Sequence, residues 1–399
     1  MNRGKGEGSI YQKGNRWIGQ YYTHDGKRKT VSGAKRKEVQ EKLNKALVEL
    51  DEGRYIDTPK VEVGDFIKDY METYKKQEIA ATTFSNYCEF MEFYLYNNPI
   101  SHMELGKVTT DKLQRYYNDM TQSGLSGRTV RQVHSIINGA FKNAVKRKLI
   151  HENPNKEVTL PKKARVEITP PSIEEVKKML EYSREHDDPM YGLWRLLALT
   201  GCRRGEVLAI QKSDINFSTG EIVLRYSLGY LGKGEIEDGT DRKHISVLKQ
   251  DMKNKASRGS VYADSETMEE LKKIIRKQSE NREKCQGYYH DKVLFLSADN
   301  KISEVDNDML FTKENGEFIS GRSVLDCFRK LLENCDLGRY RVHDMRHFFA
   351  TNILAQTGDI ALTSSMCRHK QISTTAEIYV HHYTDRKVSA MQALAKKIE

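Results

Sequence analysis

The sequence predicts an α+β multidomain protein. A small three-stranded sheet plus one helix stands at the N-terminus, an all-α helical domain follows, and a mixed, mainly α domain with a small β-sheet ends the chain. Three observations predict this. Ile10, Trp17 and Tyr21 alternate with polar residues near the start, only helical spacing is found between Gly64 and Leu149, and alternation returns among helical runs beyond residue 165. A chain of 399 residues has room for two or three such domains.

In "GSIYQKGNRWIGQYYTHDGKRKTVS" turns fall at Lys13-Gly14-Asn15 and Asp25-Gly26, giving a three-stranded meander. Val39, Leu43, Leu47 and Leu50 then keep helical spacing up to Gly53, which closes a unit over residues 1–55. The pattern breaks at "GRYIDTPKVEV", and about four helices fill residues 62–155. The last carries Val130, Val133, Ile137, Phe141 and Val145 on one face and Arg128, Arg131, Lys142, Lys146 and Arg147 on the other, which suits either DNA contact or a solvated surface. The segment "ENPNKEVTLPKKARVEITPP" reads as an extended, hinge-like linker. The third domain, residues 165–399, opens on a capping box of Ser172 and Glu175. Inside it "YGLWRLLALTG" is apolar nearly all round and predicts a buried helix. "GEIVLRYSL" and "HISVLKQDMKNKASRGSVYA" alternate as a hairpin or small sheet, and helices resume near Thr267, Ser323, His343 and Thr374.

A mean hydropathy of -0.71 and the want of any apolar run of ~18 residues or a leader with a short apolar core predict a protein of the cytoplasm, away from membranes. The six cysteines form no CxxC pair, so neither a zinc ribbon nor a disulfide framework is expected. Of the net charge of +10, residues 1–45 carry a surplus of +8, with twelve Lys/Arg against four Asp/Glu. A compact cationic module suits a polyanion, since each neutralised phosphate releases counterions.

Candidate chemistry concentrates near the C-terminus. On a helical wheel with Met345 at zero, Phe348, Phe349 and Ile353 lie within roughly 80°, Arg346 at about 100° and His343 at about 160°. The His343/Arg346 pair therefore sits at the edge of a core face, either aiming two cationic donors at one anion or capping nearby carbonyls. His343 and His347 stand four apart, but no Glu follows the first histidine as in a zinc-binding HExxH helix, so no metal is expected. "TGCRRGE" puts Arg203 in a tight turn after the buried helix, and arginine is the side chain suited to bidentate phosphate binding. Beyond His369, Tyr379 falls in the second turn of a short helix capped by Thr374 and Glu377.

The order TGxRxxE, then KxKxSR in "KNKASR", then HDxRHxxAT in "HDMRHFFAT", then His369 with Tyr379 ten residues on, resembles the tyrosine recombinases, in particular the integrases of phages and conjugative transposons. The resemblance covers nearly the whole chain and implies an N-terminal domain that binds arm sites, a helical domain that binds the core site, and a catalytic domain. It implies six catalytic residues: Arg203, Lys253, His343, Arg346, His369 and the nucleophile Tyr379. Arg204 and Tyr383 are the neighbours that the motif spacing passes over, while Lys255 stays open as the rival to Lys253, which the resemblance favours because the family's lysine stands first in the string. For DNA contact the resemblance and the basic pattern single out Tyr11, Lys13, Arg16, Trp17, Tyr21, Lys27, Arg28 and Lys29 in the first domain, with Arg128 and Arg131 in the second. One departure stands beside the site: Cys367-Arg368 replaces the Leu-Gly usual in the family before the third-box histidine.

The implied reaction is attack of the Tyr379 phenol on a DNA phosphodiester, giving a 3′-phosphotyrosine and a free 5′-hydroxyl. No cofactor or ATP is expected, because the bond energy stays in the link and a set of cations supplies the charge that Mg²⁺ supplies elsewhere. A homotetramer on double-stranded DNA follows from the resemblance, with a small excision factor and host DNA-bending proteins as further partners near the nucleoid. The alternatives are a type IB topoisomerase-like strand transferase and a catalytically silent DNA-binding regulator.

Overall fold

The computed structural model describes residues 8–24, 26–52, 55–56, 59–162, 169–232, 244–250, 259–369, 371–372, 391 and 395. Lys253, Lys255, Tyr379, Tyr383 and the Thr374/Glu377 box lie outside the described residues. Contacts divide the chain into two compact units, Met1–Glu78 with Tyr87–Ala164, and Ile79–Asn86 with Arg165–Glu399.

The first unit begins with strands β1 (Ser9–Lys13), β2 (Arg16–Tyr22) and β3 (Arg28–Gly33), antiparallel in the order β1-β2-β3. Because side chains alternate across a strand, one face of β2 packs Tyr21 against Leu43, Ala46 and Leu50 of helix α1 (Arg36–Asp51). The other face is left to solvent. Helix α2 (Val63–Tyr70) runs on through a π-helical stretch at Met71–Lys75 into the short α3 (Lys76–Glu78), and α4 (Ala81–Met91) runs on through a second at Glu92–Tyr96. Helices α5 (Thr110–Gln122) and α6 (Gly127–Lys146) start at Thr109 and Ser126, whose hydroxyls accept from backbone N–H groups that the first turn leaves unpaired. Val130, Val133, Ile137 and Phe141 of α6 are buried, as their spacing predicts, while Val145 of the same predicted face is half-buried.

In the second unit the capping box forms: the Ser172 hydroxyl accepts from Glu175 N at 3.1 Å and the Glu175 carboxylate from Ser172 N at 2.7 Å, opening α7 (Ile173–Glu185). Helix α8 (Tyr191–Thr200) is the central element. Trp194 on it is wholly buried, stacks at a tilt on Phe328, and donates its indole N–H to Asp188 at 2.8 Å. Around it lie α9 (Arg204–Val207), α10 (Ser265–Lys284), α11 (Gly321–Asn334), α12 (Asp344–Thr357) and α13 (Ile360–Met366). One sheet orders β4 (Ile215–Asn216), β5 (Glu221–Leu224) and β8 (Gly259–Tyr262). A second orders β10 (Ile302–Asp306), β9 (Lys292–Leu296), β7 (His244–Gln250) and β6 (Tyr226–Gly232), with β7 and β9 parallel. Strands β9 and β10 have no counterpart in the sequence reading. The start of α4 belongs to this unit, where Ala81 packs on Leu231, Val247 and Leu296 and the Ser85 hydroxyl accepts from Gly232 N at 2.6 Å. Among the described residues no helix is long and apolar enough to cross a membrane.

Candidate active site

The site begins where α8 ends. Gly201 stops the helix in the left-handed conformation, φ +60°, which glycine adopts without a Cβ penalty. A Cβ there would stand 2.3 Å from Phe349 Cδ1, so the close approach of α12 also requires glycine. The chain then turns into α9, whose first residues leave N–H groups unpaired. Arg203 caps it, and the Glu206 carboxylate accepts from Arg203 N at 2.9 Å and from Arg203 Nη1 at 2.6 Å. Glu206 is 5% exposed and Arg203 40% exposed, so a buried carboxylate aims a guanidinium outward. Arg204 points elsewhere and donates to the Gly321 carbonyl at 3.0 Å.

Helix α12 supplies the next groups. His343 is its N-cap, and Asp344 is buried and accepts from Arg341 N at 2.7 Å and Arg341 Nη2 at 2.8 Å, which anchors the helix start. Arg346 is only 2% exposed; Nη1 donates to Gly201 O at 2.7 Å and Nη2 to Cys367 O. The wheel put Arg346 at a core edge, whereas the 367–369 turn folds over it. Of the two alternatives for this arginine the structure shows the carbonyl contacts: two carbonyls hold the plane of a guanidinium that has five N–H donors. The His343 and His347 rings meet edge to face with centroids 5.0 Å apart.

The third contribution is the turn after α13. Its Cys367 carbonyl reaches Arg346, its Arg368 carbonyl lies 3.5 Å from Arg203 Nη2, and His369 N donates back to Ser364 O at 2.9 Å. Arg368 itself has φ +53° and is 6% exposed, with Nη2 on Glu206 Oε2 at 2.7 Å. Glu206 and Arg368 are the site residues that the sequence reading left without a role. The acidic position of TGxRxxE and the Cys-Arg departure were the signals for them.

Electrostatics sort these groups. Burial and the neighbouring His347 and Arg346 push His343 down to about 4, even though the residue keeps exposed surface at the helix start. Burial, Arg346 and Arg203 push His369 to about 4 as well. Burial and Arg203 lower Arg346 to about 10, so it stays charged at neutral pH. Burial works to raise Glu206, but Arg368 and Arg203 outweigh it and hold the carboxylate below its ordinary value. Four of the six expected catalytic positions, Arg203, His343, Arg346 and His369, therefore meet around one spot; Lys253 and Tyr379 are outside the described residues. Among the described residues no group of three or more His, Cys, Asp or Glu side chains is placed to hold a metal ion.

On the N-terminal sheet the register puts Tyr11, Lys13, Arg16 and Arg28 on the open face, together with Tyr22, which is 61% exposed. Trp17 lies on the helix side, where the Arg36 guanidinium sits 6.0 Å from its ring centre. Tyr21 is 6% exposed and is a core residue rather than a DNA contact, because its alternate position on β2 turns it toward α1. Lys27 is exposed and Lys29 half-buried. On α6 Arg128 is exposed, while Arg131 is half-buried and donates to the Pro161 carbonyl.

The comparisons agree with this geometry. Residues 172–386 match the phage integrase family and residues 62–160 the phage integrase SAM-like domain. A tyrosine recombinase XerC-like protein of Caldanaerobacter subterraneus subsp. tengcongensis is 26% identical over 92% of this chain and 91% of its own length. In fold, the chain is similar to the Tn1549 transposon integrase in complex with transposon right end DNA, at TM-score 0.64 and 16% identity over 84% of this chain and 100% of that one. It is also similar to lambda integrase, solved as a tetramer bound to a Holliday junction, at TM-score 0.56 and 15% identity over 94% and 96% of the two chains. A cluster of two arginines and two histidines, built from the turn after α8, the start of α12 and the turn after α13, thus lies inside the matched region, and the chain belongs to the phage integrase family of tyrosine recombinases, enzymes that cut and rejoin DNA at specific sites.

Proposed function

We propose that this recombinase integrates and excises a mobile element, and that Arg203, Lys253, His343, Arg346, His369 and Tyr379 perform its chemistry. The observation that supports this most is the meeting of Arg203, His343, Arg346 and His369 on one carbonyl-and-carboxylate scaffold. In this reading the Tyr379 oxygen attacks phosphorus and the bond to the 5′-oxygen breaks. A phenol of pKa about 10 needs a base at neutral pH. His343, neutral there because its pKa sits near 4, takes the proton. Lys253 gives a proton to the leaving 5′-oxygen. Arg203 and Arg346 hold the nonbridging oxygens as negative charge grows on them, and His369 adds a hydrogen bond. Reversal with a different 5′-hydroxyl rejoins the strands.

The open face of the N-terminal sheet, with Tyr11, Lys13, Arg16, Tyr22 and Arg28, is proposed as the arm-site reader, aided by Lys27 in the turn before β3. Arg128 extends the contact in the helical region. The assembly that acts is proposed to be a tetramer on two duplexes in the cytoplasm, joined by a small excision factor and host DNA-bending proteins. The test is a nicked suicide duplex carrying the element's end: the wild type forms a covalent adduct, and Tyr379→Phe binds the DNA without one. An adduct with Tyr379→Phe refutes the nucleophile, and a wild type that only shifts the DNA's mobility refutes the enzyme.

A further inference from the structure

We infer that Arg368 is a positioning residue, whose side chain ties the turn carrying His369 to the turn carrying Arg203 and balances Glu206 so that Arg203 stays free to meet a phosphate. This rests on the roles proposed above for Arg203 and His369.

The backbone argues for a selected side chain. Arg368 stands at φ +53°, a conformation that suits glycine and persists in other residues only where the surroundings over-determine it. Around its guanidinium lie a buried carboxylate, a carbonyl and the buried Cys202 thiol: Nη2 reaches Glu206 Oε2 at 2.7 Å and Nη1 reaches Met366 O at 3.3 Å. Both partners of the ion pair are 5% exposed.

The charge count supplies the reason. Glu206 Oε1 already takes Arg203 Nη1 at 2.6 Å. With one carboxylate facing one guanidinium the pair is neutral, and Arg203 has no net charge to offer an anion. The second guanidinium on Oε2 leaves the triad with a net charge of +1, expressed at the exposed member, Arg203. The same contact crosses 162 positions of sequence and pins the backbone whose carbonyls at Cys367 and Arg368 face Arg346 and Arg203. Buried charges of this kind are costly to leave unpaired, so loss of Arg368 draws Arg203 inward onto Glu206.

The experiment uses the full chain and the nicked suicide duplex. Arg368→Ala and Arg368→Gln are expected to lower the cleavage rate at saturating protein about 10- to 100-fold, the scale set by a displacement of about 1 Å in a positioned group. Their dissociation constants for the duplex stay within about twofold of wild type, because phosphate contacts spread over the whole interface set affinity. Adding Glu206→Gln to Arg368→Ala removes the carboxylate charge that then neutralises Arg203 while keeping an acceptor for it, and restores the rate at least about fivefold over Arg368→Ala. A purely structural role predicts the opposite, with the double variant no better than the single. Thermal melts identify the folded variants; if Arg368→Ala fails to fold, Arg368→Gln with and without Glu206→Gln carries the comparison. Wild-type cleavage by the folded Arg368 variants, or no recovery in the double variant, overturns the inference. Arg203→Ala runs alongside: if it cleaves normally, the reading of the site has failed, whereas a dead Arg203→Ala beside a normal Arg368→Gln sinks this inference alone.

Discussion

Gly201→Ala probes how the core holds the site. Alanine at φ +60° costs about 1–2 kcal/mol for the left-handed conformation alone. Its Cβ would stand 2.3 Å from Phe349 Cδ1 and 2.9 Å from Cγ, and Phe349 is 7% exposed, so the ring has no solvent to move into. Overpacking of this kind costs about 1–3 kcal/mol more. The sum is about 2–5 kcal/mol, or about 4–20 °C in Tm for a unit of roughly 150–250 residues. Gly358→Ala is the control, because Gly358 has φ +69° but nothing within 4 Å of its missing Cβ. It loses only the conformational part, about 1–2 kcal/mol. Cleavage distinguishes the two further. The Gly201 carbonyl orients Arg346, so Gly201→Ala loses cleavage on the suicide duplex at temperatures where it is fully folded, and Gly358→Ala does not. Equal stability of the two variants, or full cleavage by Gly201→Ala, refutes the reasoning.

Two further outcomes follow from charge. His343 and His369 have folded pKa values near 4 against an ordinary value of 6.5, so between pH 4 and pH 6.5 the unfolded chain binds more protons than the folded one. Stability therefore rises with pH through that window and falls on acidification from pH 7 to pH 4.5; a Tm that is flat over this range, or a slope unchanged by His343→Gln with His369→Gln, contradicts the site electrostatics. On α6, Arg128→Ala reduces the slope of log affinity against log salt by about 1, the mark of one lost phosphate contact. Arg131→Ala instead lowers Tm and leaves the slope alone, since its half-buried guanidinium is anchored on the Pro161 carbonyl whereas Arg128 is exposed; equal salt slopes for the two variants show the distinction to be wrong.

Much of the fold was legible because its signals are local. The Ser172/Glu175 box and the all-round apolar run over Trp194 each lie within one turn or one helix of the residues that make them. Strands β9 and β10 were not legible, since "KVLFL" is a short apolar run whose period suits a strand or a buried helix, and its parallel partner Leu248 lies far away in sequence. The site was legible in its residue types and not in its geometry. A helical wheel knows only its own helix, so it put Arg346 at a boundary that the turn at Cys367 closes over. Likewise Tyr21 and Tyr22 differ by one step in a strand, and only the position of α1 tells which faces the core.

The site divides its labour between charged guanidiniums and neutral imidazoles. Arg346 remains charged at neutral pH, and burial, with the fields of Arg346 and Arg203, keeps His343 and His369 neutral. Fixed charge and movable protons therefore sit on different side chains, with the second kind poised by the first. Under the proposed chemistry, the negative charge of a bound phosphate opposes that of the arginines at the histidines' positions and raises their affinity for protons. On that proposal His343 is a better acceptor with substrate bound than in the empty site. Arg368 belongs to this same arrangement: by balancing Glu206 it sets how much of Arg203's charge the histidines and the phosphate feel.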